Sequence, residues 1–288
     1  MLYISEPRYI PRIWGSLMTA GQETPIGEIW WLFQKDGTSS KLRSTSDGDS
    51  TTVNDLVLTG ELPGKEVYPV LLKTLHTADR LSVQVHPGIE GGSLRKEETW
   101  IVLAAKENAW MMGGLKVTGR NLLLDLLRQN KAEEALQEID LVKGDIYHLP
   151  PGTVHALGPG LEILEVQSNC DVTYRLYDWG RTGADGKPRE LHIEKGVEAV
   201  NWSSGGKPVA AGSKGQVNRL KLNADYRVTD IRGTMEMSMP GGALFFVSSG
   251  SADVRDRKID SPVCLIADTN GGKLELDGSG YLIEPGGN

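Results

Sequence analysis

Cysteine is nearly absent: the 288 residues include only Cys170 and Cys264, far apart and in no CxxC pair. That spacing speaks against a disulfide framework, and both thiols are expected to be reduced. Long apolar runs are also lacking. The longest, near Ile29 to Phe33 and Val70 to Leu75, are too short to span a bilayer, and the first residues show no basic segment followed by an apolar one. Positive charge is the third deficit. With 31 Lys and Arg against 38 Asp and Glu, the net charge of -7 offers no field for nucleic acid or an anionic membrane. The expected protein is cytoplasmic, a monomer or homodimer, with a small molecule as its partner.

Glycine, by contrast, is plentiful at 35 residues, and much of it punctuates short β-prone runs such as Leu161 to Gln167, Val172 to Tyr177 and Ala243 to Val247. Strands broken by turn residues at this density imply a mainly β fold of sandwiches or barrels. One segment differs. From about 119 to 139, leucines and alanines recur among charged residues with helical spacing, which predicts a small helical insertion. The stretch from Trp202 through Gly205 and Gly206 to Gly215 reads as a linker, giving one domain over 1–205 and a second over 216–288. The second contains no histidine.

Metal-capable side chains fall in two groups. In Leu81-Ser82-Val83-Gln84-Val85-His86-Pro87, apolar and polar residues alternate as in a half-buried strand, so Ser82, Gln84 and His86 share one face. After a glycine-rich connection (Gly88, Gly91, Gly92), Lys96 and Glu98 open a second strand with matching parity. Further on, Gly144 to His155 reads as a turn glycine, a short strand, a Pro150-Pro151-Gly152 corner and a strand bearing His155. Two imidazoles, an amide oxygen and a carboxylate suit one Zn²⁺ per chain, and Mn²⁺, Fe²⁺ or Co²⁺ are also accommodated. His76, His148 and His192 lie outside these groups and are expected to be non-ligands.

The spacing of Gly144, Pro150, Pro151, Gly152 and His155 resembles the second cupin motif, and Gln84-Val85-His86 with Glu98 resembles a variant of the first. With Thr173-Tyr174-Arg175-Leu176-Tyr177-Asp178, these segments resemble type I mannose-6-phosphate isomerase in its short bacterial and archaeal form. Trp14-Gly15, Ile26 to Trp30 and Tyr68 to Lys73 extend the likeness over about residues 5 to 200. The resemblance implies two cupin-type jelly-roll barrels, the first catalytic and the second structural.

It further implies a metal held by Gln84, His86, Glu98 and His155, a sugar phosphate as substrate, and Arg175 as the active-site arginine. Lys96, Lys73 and Ser82 are the implied substrate-side residues. The resemblance also implies an acid/base candidacy for Glu165, whose strand parity with Ile163 and Gln167 lets it face the same interior as the metal. Thr173, Arg175 and Tyr177 form another same-parity set. Glu97, between Lys96 and Glu98, is expected on the opposite face. Three readings stay open at this point: isomerisation of mannose 6-phosphate through a cis-enediolate, isomerisation of unphosphorylated aldoses such as mannose, and a non-catalytic sugar-binding regulatory cupin.

Overall fold

The computed structural model describes residues 1–288 apart from 89–94, 171, 184–185, 204–206, 210–216, 221–225 and 287–288, with backbone alone for 207–209 and 217–220. Gly91, Gly92 and most of the linker-like stretch therefore lie outside the described residues. Among the described residues, strands take up 51% and helices 10%, in several antiparallel sheets, as the alternating patterns require.

The chain gathers into two compact units. One consists of Met1–Arg8, Trp30–Lys73 and Ala210–Asn288. Its sheet runs from Val217–Leu220 through Tyr226–Met239, Gly272–Pro285, Leu244–Val254 and Val263–Ala267 to Leu2–Ser5, Lys41–Ser44 and Ser50–Thr52. Leu2–Ser5 lies between two partners, with Tyr3 opposite Ile266 on one side and Ser44 on the other. That pairing draws the N-terminal segments to the C-terminal strands, whereas local patterning groups them with 1–205. Phe245, Leu265 and Leu276 lie at the centre of its core.

The other unit consists of Tyr9–Ile29 and Thr74–Val209. One of its sheets is five-stranded, in the order Leu136–Asp140, Trp110–Leu115, His155–Leu157, Val83–Val85, Tyr174–Tyr177. Glu98–Ala105 and Leu161–Ser168 are neighbours in a seven-stranded sheet, with Ile146–Leu149 on the far side of the former. Val83 and Val85 pack with Leu176, Ala156 and the helical residues Leu123 and Leu127. Burying each such leucine contributes about 1.5–3 kcal/mol, enough to hold the helix against this face. The alternate residues of the same strands are left for the opposite face.

The helical insertion is shorter than its sequence pattern. Helices cover Arg120–Arg128 and Ala132–Ala135, but Leu136–Asp140 is a strand with Ile139 opposite Met111. Leu136 and Ile139 sit three apart, a spacing that fits a helix, and pairing with Trp110–Leu115 overrides it. The Pro-Gly corner does form. Gly152 has φ +81°, and a Cβ there would meet Asn201 N at 2.7 Å, so a side chain is excluded by both conformation and space.

Candidate active site

Strand register brings the first group together. His155 and Arg175 both lie opposite Gln84, one on each side of it, so all three side chains share the face away from Val83 and Val85. His86 follows two residues after Gln84. The N–H of Gly152 donates to the His86 carbonyl at 2.8 Å and ties the corner before His155 to the end of the Gln84 strand.

The second group comes from the other sheet. Glu98 pairs with Gln167 and Trp100 with Glu165, which places these four side chains on one face, as parity predicts for Glu165. Trp100 touches the His155 ring edge-on, with centroids 5.2 Å apart, and its indole N–H donates to Glu165 Oε2 at 3.0 Å. Lys96, buried, places its Nζ 2.9 Å from Glu98 Oε1. Glu97 turns the other way, towards Arg95 at 3.0 Å and His148 at 3.7 Å.

His86, Glu98 and His155 present ligand atoms that all lie within 4.8 Å of one another, in full burial. His86 Nε2 is 3.0 Å from Glu98 Oε1, His155 Nε2 is 3.6 Å from Glu98 Oε2, and the Gln84 amide is 3.2 Å from His155 Nε2. Each imidazole anchors Nδ1 on a backbone carbonyl, His86 on Val172 at 3.0 Å and His155 on Thr153 at 2.9 Å. A proton on Nδ1 leaves both Nε2 lone pairs facing inward, the tautomer of a metal ligand. Burial, reinforced by Lys96, lowers the His86 pKa, and burial with the neighbouring His86 takes His155 to about 3. Burial alone raises the Glu98 pKa, but Lys96 and the two imidazoles hold it well below the usual carboxylate range.

The donor set therefore consists of two neutral imidazoles, one carboxylate and an amide whose oxygen and nitrogen ends exchange by a flip. His86 Nε2 and Glu98 Oε2 are buried with no hydrogen-bond partner among the described residues. Donors sharing one ion at about 2.0–2.2 Å stand roughly 3–4 Å apart, close to the spacing found. These residues fit a divalent metal.

Arg175 is half-buried, and its Nη1 donates to the Glu190 carbonyl at 3.0 Å while Nε has no partner among the described residues. His192 grips its backbone, accepting from Arg175 N at Nδ1 and donating its own N–H to Arg175 O. Asp178 does not pair with Arg175. It binds Arg181 at 2.8 Å and Arg189 through both oxygens, and Arg181 also reaches Asp79 at 3.1 Å. Patterning missed Arg181 and Arg189 because they follow the strand, where no parity applies.

Tyr177 departs from expectation. A bulge between Arg175 and Tyr177 sets the tyrosine opposite Val83, so it packs on the helical side rather than beside Arg175. Ser82 is buried just before the Gln84 strand, and Lys73 is half-buried within Val70–His76.

The remaining histidines are placed elsewhere: His148 opposite Thr99, His192 behind Arg175, and His76 with Nε2 2.9 Å from Thr74 Oγ1. Burial lowers the His76 pKa to about 4. Because that is below the unfolded value near 6.5, the unfolded chain takes the extra proton first, and stability falls as pH drops from about 6.5 towards 4. After allowance for its partial exposure the loss is about 2 kcal/mol. Thermal midpoints between pH 7 and pH 4.5 should fall less for His76→Asn than for the wild type, and parallel curves would show that His76 is not responsible.

No protein-family model matches the sequence. The mannose-6-phosphate isomerase ManA of Bacillus subtilis is 35% identical over 216 residues, which is 69% of this chain and 68% of that protein. A probable mannose-6-phosphate isomerase of the same organism, GmuF, is 31% identical over 210 residues, 68% of this chain and 67% of its own. In solved structures, the mannose 6-phosphate isomerase from Bacillus subtilis matches with a TM-score of 0.79 at 25% identity, over 98% of both chains. A putative mannosephosphate isomerase from Archaeoglobus fulgidus, 18% identical over 99% of this chain and 98% of its own, shares the fold with a TM-score of 0.75.

Antiparallel sheets that bury a His-Glu-His group able to hold a metal, in a fold shared with these structures, define a cupin-type isomerase. Within that class, the chain belongs to the mannose-6-phosphate isomerase family. A non-catalytic sugar-binding role is not favoured.

Proposed function

We propose that the protein interconverts mannose 6-phosphate and fructose 6-phosphate, using one Zn²⁺ held by His86, Glu98, His155 and the oxygen of Gln84. The observation that carries this reading is the convergence of two inward Nε2 atoms and the Glu98 carboxylate, with Arg175 one strand away. A bound zinc supplies Lewis-acid polarisation of sugar oxygens, and the donor set accommodates Mn²⁺, Fe²⁺ or Co²⁺ as well.

The opened aldose must lose a proton from C2 and regain one at C1 through a cis-enediolate, while a second proton moves from O2 to O1. Glu165 is the base in this reading: buried, one oxygen fixed by the Trp100 indole, on the same face as Glu98. Arg175 stabilises the charge that develops on O1 and O2, an interaction strengthened by the exclusion of water. Lys96 balances Glu98, to which it is ion-paired, and Ser82, on the strand approach to Gln84, serves as a substrate-side hydroxyl. Arg181 and Arg189 against Asp178 hold positive charge near Arg175, which suits an anionic substrate. We place the protein in the cytoplasm, in keeping with its two free cysteines.

A coupled assay tests this directly. Fructose 6-phosphate should form from mannose 6-phosphate, stop with a chelator and resume with added Zn²⁺. Free mannose should react about 10–150-fold less well, the range expected when a charge-assisted contact is lost. Equal rates on both sugars would favour the unphosphorylated substrate, and no turnover on either would remove the enzymatic reading.

A further inference from the structure

Gln167 stands directly opposite Glu98 in the antiparallel pairing, so its side chain rises on the face that carries Glu98, Trp100 and Glu165. It is 1% exposed. Its Nε2 donates to two backbone carbonyls, Ser168 O at 3.1 Å and Cys170 O at 2.9 Å. Those acceptors decide which end of the amide is nitrogen, because a flipped group would set its oxygen against two others. Oε1 is thereby held in a fixed direction with no hydrogen-bond partner among the described residues. A buried acceptor left unpaired in a folded protein calls for a donor from elsewhere.

We propose that Gln167 is a substrate-contacting, specificity-determining residue whose Oε1 accepts a hydrogen bond from a hydroxyl on the sugar carbon chain. The inference rests on the isomerase reading above. An amide oxygen suits this task because it is neutral: it neither competes with Glu165 for the migrating proton nor adds charge beside Glu98. O1 and O2 react and O5 closes the ring, so the hydroxyls available as steady donors are those on C3 and C4. A substrate lacking the matching hydroxyl would leave Oε1 buried and unpaired in the complex, the situation that makes such sites discriminate strongly.

The test compares kcat/KM for mannose 6-phosphate and its 3-deoxy and 4-deoxy counterparts, in the metal-loaded wild type and in Gln167→Met. One deoxy sugar should lose roughly 10–100-fold with the wild type. Gln167→Met should lose a similar factor on mannose 6-phosphate, mainly through KM, yet show little further loss with that same deoxy sugar. Thermal midpoint and metal content identify a variant that has merely misfolded, and the wild-type comparison stands without it. Wild-type indifference to both deoxy sugars, or an equal Gln167→Met loss on all three substrates, would overturn the proposal. A wild type inactive on mannose 6-phosphate would instead overturn the isomerase reading, and this inference with it.

Discussion

His155→Asn should reduce bound metal from one ion per chain to near zero and lower turnover by about 10³–10⁵-fold, the effect of losing several kcal/mol of transition-state stabilisation. His155 is central to the donor set: its Nε2 lies 3.6 Å from Glu98 Oε2 and 3.2 Å from the Gln84 amide, and its Nδ1 is anchored on Thr153. Without it, His86, Glu98 and the Gln84 amide remain as three donors, with Lys96 2.9 Å from the carboxylate and able to neutralise it unopposed. Folding should survive, because the substitution removes a buried polar group from a polar cluster rather than from the leucine and valine core. Metal content by elemental analysis, beside kcat, separates the outcomes. A variant that keeps a full equivalent of metal would show that the ion is held elsewhere, and one that keeps its rate without metal would end the metalloenzyme reading. His148→Asn is the matched control, since His148 faces Thr99 and Glu97 on the other side of the Glu98 strand, and it should retain its metal.

Much of this site was legible from strand parity alone. A two-residue repeat leaves few choices of face, so Gln84 with His86, Lys96 with Glu98, and Glu165 with Gln167 could be sorted before any pairing was known. Parity fails where the ladder is irregular. Tyr177 sits two residues after Arg175 and would share its face in an unbroken strand, but the intervening bulge reverses it. It is silent about segments outside strands, which is why Arg181 and Arg189 emerge only from their shared grip on Asp178. Non-local pairing is equally hidden: nothing near Tyr3 announces that its partners are Ser44 and Ile266. The spacing of Leu136 and Ile139 fits a helix, and pairing with the neighbouring strand Trp110–Leu115 overrides it. Parity puts Gln167 on the face of Glu165, but the direction of its amide depends on the two carbonyls that accept from it, at Ser168 and Cys170.

Arg175→Ala should lower kcat by about 10²–10³-fold while the metal stays in place, the loss typical of a single donor aimed at developing negative charge. Its position separates these two effects. Arg175 lies opposite Gln84 but is not among the ligand atoms, and its fixed contacts run away from the donor set, to the Glu190 carbonyl and through its backbone to His192. Burial and the adjacent Arg189 lower its pKa, which makes the guanidinium readier to take a negative partner than an exposed arginine would be. Arg175→Lys should recover only part of the rate, because an ammonium cannot keep the Glu190 contact and present a second N–H to the enediolate in the same fixed geometry. Metal content and kcat measured on the same preparations decide the matter. Loss of metal in step with rate would make Arg175 a support of the ion site, and a change confined to KM would make it a binding residue. A fall in kcat at full metal loading is the result that assigns its charge to the transition state.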